Sequence, residues 1–115
     1  MYRWWYTRTE MGWILLVIAI LSEVTATLAL RAAGEGHRLA IVAVVTGYVA
    51  SLALLAVVVK HLEVSVAYAV WAGAGTALVA LFGVAMLGEP ATALKLASIS
   101  LIIVGVIGLN LTGAH

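Results

Sequence analysis

Glu23 is the residue whose type and place most need a chemical reason. It lies in the run AILSEVTATLAL, Ala19 to Leu30, among aliphatic side chains, small residues and hydroxyls. At the centre of a membrane helix an acid costs about 3 kcal/mol on insertion scales, and each Leu, Ile or Val returns only about 0.3–0.6. The neighbouring aliphatics can carry that cost, yet a leucine would avoid it. Burial disfavours the charged form of a carboxyl, so such a group can hold a proton or pair with a cation. An ionisable residue inside a membrane is a functional candidate by default. The structural alternative is a protonated glutamate held in a fixed interhelical hydrogen bond.

Residues three and four apart share a helix face, which places Ala19, Ile20, Ala26 and Thr27 around Glu23. Three of these four are small and leave room beside the carboxylate, although close helix packing favours small residues equally. Further along, VAYAVWAGAGTALVALFG carries Tyr68 and Trp71 three apart, well inside an apolar segment. Aromatic faces attract cations, tryptophan best, by about 0.5–2 kcal/mol. A carboxylate with buried aromatics is chemistry for a hydrophobic cation; ordinary aromatic packing is the alternative. Gly73 and Gly75 allow close approach or a bend, and they lack the rest of a phosphate-binding GxGxxG pattern and its setting. Tyr48 and Ser51 share a face of another apolar run, where packing explains them equally well.

Other chemistries find no support in the residues. His37, His61 and His115 fall in loops or at the terminus, are expected to be solvated, and have no metal-ligand spacing. No nucleophile–base constellation is present, so neither a catalytic residue nor an enzyme is expected. Cysteine is absent, which removes disulfides and thiolate metal sites.

The elements that must position these residues follow from composition. The chain has 115 residues, 65% hydrophobic and 10% charged, against about 25% charged in an ordinary soluble domain. So short a chain cannot hide that much apolar surface in a water-soluble core; its solvent is lipid. Four apolar segments, near 11–31, 39–59, 64–87 and 92–112, each cross a hydrocarbon core of about 30 Å at 1.5 Å per residue. The expected fold is an all-α membrane protein of four transmembrane helices in one domain, 11–115, preceded by an interfacial extension at 1–10. Trp4, Trp5, Tyr6 and Trp13, with Arg3 and Arg8, read as interfacial anchors. Pro90 reads as the start of the fourth helix, where it breaks no hydrogen bond. Ser98, Gly105 and Gly108 place small residues in that otherwise bulky helix and suggest a helix–helix interface.

Charge gives no orientation. One side of the membrane would hold Arg3, Arg8 and Lys60, the other Arg31, Arg38 and Lys95, three against three. Lysine and arginine excess normally fixes the cytoplasmic side, so a chain this balanced can insert both ways, unless weak biases elsewhere choose for it. Net charge is +1 without a basic run, and nucleic acid is not an expected partner.

With these residues in place, the chain resembles the small multidrug resistance family of bacterial transporters. The resemblance rests on length, four spans, SEVTATLALR with its central acid, the AYAVWAGAG of the third span, and the final GVIGLNLTGAH. It implies an antiparallel dual-topology homodimer in the bacterial cytoplasmic (inner) membrane, needing no cofactor and driven by the proton gradient. It further implies that Glu23 of both subunits binds protons and a lipophilic cation in mutually exclusive fashion. Tyr68, Trp71 and Tyr48 match the family's aromatic substrate-site residues, and Gly73 and Gly75 its third-helix kink. Gly105 matches the fourth-helix dimer contact, in which Ser98 replaces a glycine. Arg31 stands where a lysine is common, and Ala72 lacks the hydroxyl often found after the tryptophan. The guanidinium-exporting branch carries a tryptophan one turn after the acid; Ala26 and Thr27 stand there instead. The function implied is proton-coupled antiport of lipophilic or quaternary ammonium cations, with Ala19, Ile20 and Thr27 as site walls. Alternatives are a guanidinium or polyamine exporter of the same family, or a passive cation or proton channel.

Overall fold

The computed structural model describes residues 2–112, with side chains from residue 9 onward. Four helices follow one another: α1 (Tyr2–Gly34), α2 (Arg38–Val58), α3 (Val64–Met86) and α4 (Ala93–Leu111). The described residues contain no strand. All four helices are long and apolar enough to cross a membrane. The observed ends lie within three residues of the expected ones except at the start of α1. That helix already runs from Tyr2. The side chains of Arg3, Trp4, Trp5, Tyr6 and Arg8, and all of His115, lie outside the described residues. Trp13 is half-buried and packs against the core.

The breaks come where the backbone requires them. Gly36 has φ of 90°, a left-handed conformation that only glycine adopts freely. It closes α1 in a Schellman arrangement, with His37 N–H donating to Ala32 O at 3.2 Å and Gly36 N–H to Ala33 O at 3.0 Å. Gly88, with φ of 71°, ends α3 in the same region of conformational space. Pro90 lies in the loop that follows and is not the first residue of α4. Instead Thr92 caps that helix, its Oγ1 accepting from Lys95 N–H at 3.1 Å.

Helix α1 packs on both α2 and α3, and α3 also carries α4; among the described residues the backbone of α4 comes close only to α3. Leu16, Ile20 and Val24 of α1 meet Val66, Ala67 and Val70 of α3 in the core, with Val58 and Leu62 closing one end. Small residues set the α1–α2 spacing. A methyl added at Gly47 would lie 2.7 Å from the Ala26 Cβ, which is inside van der Waals contact. At the α2–α3 connection His61 is half-buried, contrary to the solvated loop position expected for it. Its Cβ lies 2.8 Å from where a Gly12 side chain would begin, and its Nδ1 is enclosed without a hydrogen-bond partner.

Candidate functional site

Glu23 lies near the middle of the α1 span Thr9–Gly34 and is half-buried. Helix α3 meets it directly and α2 reaches it through Thr27. From α3 comes Gly75, so close that a Cβ there would sit 2.8 Å from Glu23 Oε1. The carboxylate occupies the space that a side chain at position 75 would fill. One turn along α1, Thr27 Oγ1 donates to Glu23 Oε2 at 3.2 Å. The same Thr27 oxygen lies 2.6 Å from the Tyr48 hydroxyl of α2. Among the described residues no Lys, Arg or His pairs with this carboxylate.

A second polar chain runs one turn away. Trp71 Nε1 donates to Ser51 Oγ at 2.9 Å, and Ser51 Oγ donates to Ala19 O at 2.6 Å. Ser51 is fully buried. An indole N–H in an apolar interior needs an acceptor, and Ser51 supplies it while returning its own proton to α1. Trp71 and Gly75, four apart, share a face of α3. Trp71 is therefore tied to the Glu23 region from two directions. Its ring lies 5.8 Å, centroid to centroid, from that of Tyr68, with planes 39° apart. Tyr68 is 58% exposed in the single chain and extends the aromatic surface outward.

The residues singled out from sequence fall into three groups. Glu23 meets Thr27 and Gly75, Thr27 in turn meets Tyr48, and Trp71 is held through Ser51 to the Ala19 carbonyl one turn away. Ala19 and Ile20 are buried in helix packing; the part of Ala19 that reaches the polar chain is its carbonyl. Gly73 faces α4, where a Cβ would lie 3.1 Å from Val106 Cγ2, and α3 is continuous through both glycines. Ser98 and Gly105 lie exposed on α4, away from Glu23. The Ser98 hydroxyl turns back on Leu94 O at 2.8 Å, and nothing lies within 4 Å of a Cβ at Gly105. Ser51 is the site residue for which sequence spacing favoured a site role no more than packing. The signal that finds it is the unmet donor of Trp71, which becomes visible once α2 is laid beside α3.

A family model described as Small Multidrug Resistance protein matches residues 11–102. The chain belongs to the small multidrug resistance family. The matched stretch takes in Glu23, Tyr48, Tyr68, Trp71 and Gly75, and it makes this a multi-pass membrane protein of that family. Relatives in the family have similar lengths. The chain is 45% identical over 107 residues to the multidrug resistance protein mmr of Mycolicibacterium paratuberculosis, covering 91% of this chain and 100% of that protein. It is 46% identical over 103 residues to the guanidinium exporter of Escherichia coli, covering 89% and 98%. The Mycobacterium tuberculosis multidrug resistance protein Mmr is 41% identical over 107 residues, covering 91% and 100%.

Proposed function

We propose that this small multidrug resistance protein is a proton-coupled antiporter that exports lipophilic or quaternary ammonium cations across the bacterial inner membrane. The observation that carries the reading is Glu23: a carboxylate at mid-span, met by the Thr27 hydroxyl and by Gly75, without a cationic partner among the described residues. A negative charge in that position is available to a positive ligand, and the Tyr68–Trp71 pair offers aromatic faces of the right chemistry. Proton and cation compete for the same charge, so coupling needs no further device. When the site opens to one side, protons bind and the cation leaves; when it reopens opposite, the exchange reverses. The gradient supplies the driving force, and no cofactor takes part.

The working unit is an antiparallel dual-topology homodimer in which two Glu23 side chains share one site. The balanced loop charges support the dual insertion. Export of guanidinium is the second reading, favoured by the 46% identity to a guanidinium exporter. Against it stand Ala26 and Thr27, which leave the turn after Glu23 without a large ring.

Proton-driven uptake into liposomes of purified protein, with tetrapropylammonium, guanidinium and spermidine compared, tests the reading. Uptake of tetrapropylammonium is expected to dominate, to require an opposing proton gradient and to vanish in Glu23→Gln. Protonation removes the charge of Glu23, so cation binding is expected to weaken as pH falls. Uptake in Glu23→Gln with the wild-type pH dependence, or current without a counter-substrate, would overturn it. Guanidinium uptake exceeding the others would move the assignment to the second reading.

A further inference from the structure

The hydroxyls of Thr27 and Tyr48 form a directional chain, and the direction is fixed by proton count. Thr27 has one hydroxyl proton. With Glu23 ionised, that proton goes to Glu23 Oε2 at 3.2 Å, because a carboxylate can only accept. The 2.6 Å contact between Thr27 Oγ1 and the Tyr48 hydroxyl must then be donated by Tyr48. The chain runs Tyr48 to Thr27 to Glu23, each O–H pointing toward the negative charge. When Oε2 takes a proton it becomes a donor. Thr27 Oγ1 then accepts, its own proton turns to the Tyr48 oxygen, and the phenolic proton of Tyr48 is released from α1. No covalent O–H bond breaks within the chain; two hydroxyl rotors turn.

We infer that Thr27 is a positioning residue that makes the protonation state of Glu23 legible on α2, by reversing the polarity of the Glu23–Thr27–Tyr48 hydroxyl chain. This rests on Glu23 being the proton-binding group proposed above. Two features of the fold favour a chain that acts as one unit. The α1–α2 interface is tight here, with Ser22 Oγ donating to Gly47 O at 2.8 Å and Gly47 set against Ala26. The Oε1 side of the carboxylate is covered by Gly75, which leaves Oε2 as the oxygen that faces the hydroxyls. Of the elements packed on α1, α2 brings Tyr48 as its titratable group within the span. Helix α3 brings Gly75 to the carboxylate and carries Tyr68 as its own titratable group, while Arg38, Lys60 and Glu63 lie at helix ends. Among the described residues the backbone of α4 does not come close to α1. The consequence for transport is that α2 presents a free phenolic donor only when the site holds a proton, and has it engaged when the site is ready for a cation.

The test follows the carboxyl carbon of Glu23 by NMR across pH in full-length protein without any cation present. This reads the acid directly and does not depend on transport. In Thr27→Val the charged form loses its donor, and its appearance is expected to move to higher pH. Thr27→Ser, which keeps the hydroxyl, is expected to restore the wild-type profile. Tyr48→Phe should move the profile in the same direction by less, and Thr27→Val with Tyr48→Phe should match Thr27→Val alone. An unchanged profile in Thr27→Val, failure of Thr27→Ser to restore it, or additive effects of the two substitutions would each overturn the inference. If these shifts appear while tetrapropylammonium is not transported, the antiport reading fails and the hydroxyl chain stands.

Discussion

At the scale of single residues, the site uses side chains that satisfy each other's donors where water is absent. Ser51 is the clearest case, since its one hydroxyl serves both the Trp71 indole and the Ala19 carbonyl. Ser51→Ala leaves the Trp71 indole without its acceptor, while Ala19 O keeps the N–H it receives within α1. Interhelical hydrogen bonds in membranes average about 0.6 kcal/mol and reach about 1.7, so a destabilisation of about 1–2 kcal/mol is expected in thermal unfolding in detergent. The more telling readout is ligand choice. With the indole released, affinity for an aromatic cation is expected to fall several-fold in titration calorimetry, while tetramethylammonium is less affected. Trp71→Ala should show the same preference more strongly, by about tenfold, the upper part of the cation–π range. Equal losses for both ligands would mean that the ring only packs. Glu23, Tyr68 and Trp71 were legible in the sequence because a mid-span acid and off-interface aromatics are each costly or unusual where they stand. Ser51 was not, because one hydroxyl in an aliphatic helix has many harmless explanations until its neighbour is known.

At the scale of helices, glycines decide how near the elements come. Gly75 matters most, since a methyl there would lie 2.8 Å from Glu23 Oε1, and the carboxylate must move or the helices must part. Gly75→Ala is expected to keep the four-helix fold by circular dichroism and to lower cation affinity at least about tenfold, a displacement worth about 1.4 kcal/mol. Gly34→Ala is the matched control, because nothing lies within 4 Å of that position. Wild-type affinity in Gly75→Ala would show that the carboxylate is not held by this contact. Four spans were readable from apolar runs alone, since length against bilayer thickness is a strong constraint. The ends were less so. Pro90 drew attention as a helix start, but Thr92 provides the hydroxyl that an N-terminus needs. His61 looked solvated because KHLE is polar, whereas Gly12 opens a space on α1 into which the loop packs. Such pairings between distant positions have no signature in local composition.

At the scale of the molecule, α4 carries the question of assembly. Among the described residues its backbone comes close only to α3, and Ile99 is its one buried residue. Leu101 is 73% exposed and Leu111 79%. Lipid alone can cover these aliphatics, since acyl chains are as apolar as leucine. Small residues on the same helix need a different explanation. Gly105 and Gly108 have nothing within 4 Å of a built Cβ, so no contact inside the chain asks for a glycine at either place. Each costs helix stability of about 1 kcal/mol relative to alanine. In the proposed homodimer, a second copy approaching closely along this helix would account for that cost, and larger side chains there should then separate the copies without disturbing the single chain. Gly105→Leu is accordingly expected to leave helicity and thermal stability of the monomer unchanged or slightly raised. The dimer fraction, read by single-molecule photobleaching in liposomes, should fall at least about tenfold, in line with an overpacking cost of about 1–3 kcal/mol. Cation uptake should fall with the dimer fraction, because the proposed site draws one Glu23 from each copy. An undiminished dimer fraction in Gly105→Leu would place the interface elsewhere and leave the glycines of α4 facing lipid.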